Sequence, residues 1–122
     1  MKGTLMTSLF SVAIEHKNDV HIILPEGYID ADAQVGLSEA FQKIKALGAT
    51  RLLFNFCNTR KINSTGMSQI LNILQEAINA GIKVRFSNLS LINYKLFVMI
   101  GINEFGEIFT DQEAALQDFS NI

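Results

Sequence analysis

Apolar residues first alternate with polar ones and then change period. Leu9 to Ile14 alternates and runs into the polar stretch Glu15-His16-Lys17-Asn18-Asp19, a turn signal. Val20-His-Ile-Ile-Leu24 follows and is closed by Pro25 and Gly27. Two short β-branched runs joined by a polar turn predict an antiparallel hairpin. From Asp32 the spacing becomes three and four residues, through Val35, Leu37, Ala40, Phe41, Ile44 and Leu47. That spacing predicts an amphipathic helix, capped by Asp30 or Asp32 and stopped by Gly48. Arg51-Leu-Leu-Phe-Asn-Phe-Cys57 is a near-continuous apolar run and reads as a buried strand.

A second helix carries Met67, Ile70, Leu71, Leu74, Ala77 and Ile78 as its apolar stripe and ends at Gly81. Ile73 falls off that stripe and reads as an isolated exposed apolar residue. Ile82-Lys-Val-Arg-Phe86 reads as a strand, and Leu91 to Ile100 as a third helix stopped by Gly101. Glu107-Ile-Phe109 is a very short strand, and Asp111 caps a last helix through Ala115, Leu116 and Phe119. The order β-β-α-β-α-β-α-β-α predicts an α/β fold: a mixed sheet of four to five strands, with helices packed mainly on one face.

Composition narrows this picture. The chain has 122 residues, which fits one domain, residues 1–122, with a core from about 8 to 119. It is 48% hydrophobic, so it can bury a core without staples. Ten basic residues are scattered among twelve acidic ones, for a net charge of −2. That distribution argues against nucleic acid and an anionic membrane surface as partners. No apolar stretch approaches the ~20 residues of a membrane span. Met1 to Met6 lacks the apolar core of a leader peptide. Cys57 is the only cysteine, which agrees with a reducing cytoplasm, and it reads as a small buried apolar side chain. His16 and His21 fall on the hairpin without a further ligand at metal-binding spacing and read as plain strand or surface histidines. No cofactor or metal is implied, and no paired carboxylates, nucleophile triad or phosphate loop suggests an enzyme.

The informative stretch is Arg60-Lys61-Ile62-Asn63-Ser64-Thr65-Gly66-Met67, between the buried strand and the second helix. Ser64 reads as the helix N-cap, with Thr65 and Gly66 in the first turn. Unbonded N–H groups and the positive dipole end make this a place for a phosphate, and Gly66 lets a partner approach the backbone.

Asn63-Ser64-Thr65-Gly66-Met67 resembles the Asp-Ser-Ser-Gly-Leu motif of STAS domains of the anti-sigma factor antagonist family. Gly27-Tyr28-Ile29-Asp30-Ala31 resembles the family's Gly-x-Leu-Asp-x turn, and Leu52-Leu53-Phe54-Asn55-Phe56 its Leu-Val-Leu-Asp-Leu strand. Met99-Ile100-Gly101-Ile102 with Phe105 and Ile108-Phe109, then Ala114-Ala115-Leu116, resemble its closing elements. The resemblance spans about residues 8 to 119. It implies a bacterial, cytoplasmic, non-catalytic module, monomeric or weakly dimeric. Such a module binds an anti-sigma serine/threonine kinase and so releases a sigma factor. The phosphoacceptor carried over is Thr65, with Ser64 its neighbour, and the partner-binding set is Asp30, Asn63, Ser64, Thr65, Gly66 and Met67. Asp30 is equally well explained as a helix cap. The chain departs from the pattern at Asn63 and Asn55, where the family has carboxylates. Arg60 and Lys61 either pair with a phosphate or form a solvated face. The alternative is a STAS scaffold without phosphorylation, or a small-ligand-binding module, in a regulatory or transporter complex.

Overall fold

The computed structural model describes residues 9–122. Met1–Met6, read above for a leader, and residue 8, the start of the expected core, lie outside the described residues. Strands β1 (Phe10–Lys17) and β2 (Val20–Ile29) form the predicted antiparallel hairpin, with Asn18 and Asp19 at positive φ in its turn. Then come α1 (Gln34–Ala46), β3 (Arg51–Asn55), β4 (Thr59–Ile62), α2 (Ser64–Asn79), β5 (Lys83–Ser87), α3 (Leu91–Met99), β6 (Ile108–Phe109) and α4 (Gln112–Phe119). The sheet runs β1-β2-β3-β5-β6, with β4 paired to β2. All pairings except β1 with β2 are parallel.

Strand β4 is the element that the hydrophobic pattern does not separate. Its sequence Thr-Arg-Lys-Ile buries only Ile62, so no apolar run marks it. It exists because β2 is ten residues long. The first part of β2 pairs with β3, and Gly27 to Ile29 are left to pair with β4. Arg60 and Lys61 therefore lie on a strand, not in a loop.

Alternation in the strands sorts the core into two layers. Ile23, Leu52, Phe54, Val84 and Phe86 face α1, α2 and α3. Val20, Ile22, Leu24 and Leu53 face α4, through Ala115, Leu116 and Phe119. Three helices thus cover one face and one short helix the other. Helix α4 is clasped by Arg85, whose Nε donates to Asp118 Oδ2 at 2.7 Å while its guanidinium lies over the Phe119 ring. At the carboxyl ends of β3 and β5, Phe56 and Phe86 meet Phe97 of α3 edge-on, with centroids 5.3 and 5.8 Å apart.

Several expectations from the pattern are corrected. The three stop glycines hold, since Gly48, Gly81 and Gly101 all have positive φ just past a helix. Ile73, expected to be exposed, is buried, and Ile78, placed in the stripe, is 42% exposed. The core row of α2 is Gly66, Met67, Ile70, Ile73, Leu74 and Ala77, which rotates the stripe away from Ile78. Val35 of α1 and Leu47, its C-cap, are 66% and 70% exposed, because this helix lies at the rim of the sheet, over β1. Cys57 is exposed: the buried run ends at Phe56 and the chain turns outward. His16 and His21 pair across the hairpin and stack, with centroids 4.3 Å apart.

Candidate functional site

Strands β2 and β4 end side by side, with Ile29 opposite Ile62. Each runs into the start of a helical segment. After β2, Asp30 Oδ1 accepts from the N–H of Asp32 at 2.9 Å and caps a single 3-10 turn, Ala31–Ala33, that leads into α1. After β4, Asn63 Oδ1 accepts from the N–H of Gly66 at 2.8 Å and caps α2. The cap is therefore Asn63 and not Ser64. Asn63 has extended backbone (φ −93°, ψ −179°) and its carbonyl accepts from Met67, which places Ser64 one step inside the helix. An amide oxygen caps as well as a hydroxyl does. The sequence signal for this was present: asparagine is as good a cap as serine, and it comes first.

The two strand-to-helix junctions are joined through the backbone. The Asn63 N–H donates to the Ile29 carbonyl at 3.2 Å. The first turn of α2 then packs on that same carbonyl: a Cβ on Gly66 would lie 2.0 Å from Ile29 O. Only glycine fits there, and the reason is close approach, not backbone conformation. Gly66 and Met67 are buried, so they support the site from beneath. Asn63, Ser64 and Thr65 are exposed and Asp30 is partly exposed, so the structure brings these four together at one surface.

The Thr65 hydroxyl has no hydrogen-bond partner among the described residues, nor has that of Ser64. As first-turn positions of α2, Ser64 and Thr65 also present N–H groups with no acceptor four residues back. An anion on Thr65 would meet these donors and the positive end of the helix. Arg60 and Lys61 are exposed on β4 just upstream and form no ion pair among the described residues.

Asn55, the other position where the resemblance expects a carboxylate, is buried at the end of β3. Its Nδ2 donates to Gln112 Oε1 at 2.8 Å and its Oδ1 accepts from the Cys57 N–H at 2.9 Å. The amide thus holds the start of α4 and the turn after β3 at once. A carboxylate could not donate that first bond.

A further surface escaped the sequence reading. Helix α3 buries only Asn93 and Phe97, and leaves Leu91, Ile92, Tyr94, Val98 and Met99 exposed. Asn93 Nδ2 donates to the Arg60 carbonyl at 3.4 Å, so this helix is tied to the strand that leads into α2. The signal was the lack of a polar face between Leu96 and Ile100; a dense apolar run looks like core until its neighbours are known. Among the described residues no group of three or more His, Cys, Asp or Glu is placed to hold a metal ion. None of their helices is long and apolar enough to cross a membrane.

The family model for the STAS domain matches residues 11–115. The fold is similar to that of an anti-sigma factor antagonist from Mycobacterium paratuberculosis, with a TM-score of 0.78 at 13% identity over 89% of this chain and 92% of that one. It is similar to the Bacillus cell fate determinant SpoIIAA in its phosphorylated form, with a TM-score of 0.69 at 19% identity over 90% and 99%. A sulfate transporter family protein from Wolinella succinogenes gives a TM-score of 0.68 at 16% identity over 84% and 86%. At these identities the likeness is one of fold. No curated protein matches the sequence.

Proposed function

The chain belongs to the STAS domain family, and on that premise we propose that it is an anti-sigma factor antagonist switched by phosphorylation at Thr65. In this reading it docks on a serine/threonine kinase that doubles as an anti-sigma factor, and so releases a sigma factor. The observation that carries the reading is Thr65 itself. Its hydroxyl is exposed and unpartnered, while its backbone is fixed between the Asn63 cap and the Gly66–Ile29 contact. In the transfer, Thr65 Oγ1 bonds to the γ-phosphorus of ATP, the bond to ADP breaks, and a base of the kinase takes the hydroxyl proton. The product carries about −1.5 to −2 charges on a side chain that was uncharged. The positive end of α2 stabilises this charge on the unbound module, whereas a partner surface without counter-charge is driven off. The apolar side chains of α3, tied to β4 through Asn93, supply contact area of the kind that protein partners bury.

The second reading is a STAS scaffold without phosphorylation, in a regulatory or transporter complex. Asn55 favours it, since the amide there is committed to holding α4. Incubation with the cognate kinase and ATP, followed by intact mass and peptide mapping, separates the two. One phosphate gained on Thr65, with Thr65→Asp losing kinase binding and Thr65→Ala keeping it, supports the switch. No phosphate gained, or both variants binding as the parent does, overturns it.

A further inference from the structure

We propose that the rim of the sheet at β1 is the seam of a homodimer, in which two copies join β1 to β1 and α1 to α1 about a two-fold axis. The inference is independent of the switch at Thr65.

Strand β1 is an edge: among the described residues its one neighbour is β2. The Tyr28 N–H donates to the Leu9 carbonyl, and the register pairs residues whose numbers sum to that of Leu9 and Tyr28. In an antiparallel ladder the bonded pairs alternate, so odd-numbered residues of β1 bond β2. Val12, Ile14 and His16 therefore turn their backbone N–H and C=O groups away from the sheet. An edge strand of eight residues is a template for another strand.

The helix above this edge says which strand. Val35, Glu39 and Lys43 of α1 and Leu47, its C-cap, are four residues apart and form one ridge on the exposed side. The ridge reads apolar, acidic, basic, apolar. Turned end for end, it complements itself: Glu39 meets Lys43 of the second copy, Lys43 meets its Glu39, and Val35 meets its Leu47. This reciprocity is what a two-fold interface requires. Neither Glu39 nor Lys43 forms an ion pair among the described residues, and Val35 and the C-cap Leu47 are both exposed apolar side chains.

Strand and helix share one axis. An open groove of about 310 Å³ between them is lined by Val12, Ile14, Gly36, Glu39, Ala40 and Lys43, so the centre of the ridge lies over the centre of β1. Placing Ala13 opposite Ala13 of the second copy sets Val12 against Ile14 as a bonded pair. It also sets Glu15 against Ser11 and Lys17 against Leu9, so no like charges face each other across the strands.

Sedimentation velocity of the full chain over about a hundredfold range of micromolar concentration tests this. A reversible monomer–dimer equilibrium is expected. Glu39→Lys places like charges in both cross-helix contacts and weakens association about tenfold or more. Glu39→Lys with Lys43→Glu restores it, because the pair is reversed, not removed. Both substituted positions are exposed, and circular dichroism checks that the variants keep the fold. A parent chain that stays monomeric overturns the proposal, as would happen if residues 1–8 or another protein covered the edge. So does a dimer that survives Glu39→Lys, or one that the charge reversal fails to rescue.

Discussion

A methyl group added at Gly66 would sit 2.0 Å from the Ile29 carbonyl oxygen and 2.6 Å from its carbon. Both neighbours are backbone in a paired strand end and have little room to yield. Gly66→Ala is therefore expected to cost about 1–3 kcal/mol in urea unfolding. Thr65→Ala, one residue away and exposed, should stay within about 0.5 kcal/mol. Equal effects at the two positions would remove the distinction between support and contact surface on which the site rests. The stacked histidines make a second residue-scale case. Burial, and then the neighbouring His16, hold the pKa of His21 below its ordinary value of 6.5. Its Nδ1 is buried without a partner, while Asp19 and Arg51 line the open cavity beside the pair. On acidification the unfolded chain takes up this proton before the folded one does. His21 thus contributes stability that is complete above 6.5 and is lost as pH falls through its folded value. The melting temperature should fall as the pH drops below about 6.5, and His21→Gln should flatten that slope. Glu76, held low by hydrogen bonds from Lys45 and Gln42, gives a separate loss of the same sign at lower pH, below its ordinary value of 4.5.

Among the elements, α3 shows how far a pattern can be read. Its limits follow from Ser90, whose hydroxyl accepts from the Asn93 N–H, and from Gly101 beyond its end. Its orientation does not, because an almost wholly apolar helix has no face to choose by. Packing chooses instead, through Phe97 against Phe56 and Phe86. Phe97→Ala removes a fully buried ring and is expected to cost about 3–5 kcal/mol. Ile92→Ala, at a position 79% exposed, should cost less than about 0.5 kcal/mol in the same unfolding experiment. The hairpin, α2 and α4 were legible in outline, because turn residues, period and caps agree there. The exposed state of Val35 and Leu47 was not, since periodicity reports a helix face and not whether a strand lies beneath it. Strand β4 was illegible for a related reason: its pairing depends on how far β2 runs past β3. At the candidate site, Asn63-Ser64-Thr65-Gly66 marked the start of α2, but the cap was assigned one residue late. The tie from Asn93 to Arg60 joins positions far apart in sequence and leaves no local trace.

At the scale of the molecule, the sheet divides its labour. Its helix-rich face carries the core and the starts of α1 and α2, while α4 closes the opposite face through Arg85, Asp118 and Asn55. Local chemistry in the sequence was enough to predict the layers, and the two amides at Asn55 and Asn63 show why it was not enough for every role. Each looks like a lost charge in the sequence; in the structure each satisfies backbone groups that would otherwise be orphaned. The anchoring of the first turn of α2 on the Ile29 carbonyl has a kinetic consequence. That anchoring is expected to hold the surface in one arrangement, so under the proposed switch a phosphate on Thr65 would be sensed as soon as it is present. The proposed signal would then decay only as fast as the phosphate is removed, with no slow relaxation of the chain to prolong it. Backbone relaxation dispersion at Asn63 to Met67 should accordingly be flat on the millisecond timescale, and exchange there would reveal a memory that the packing does not provide.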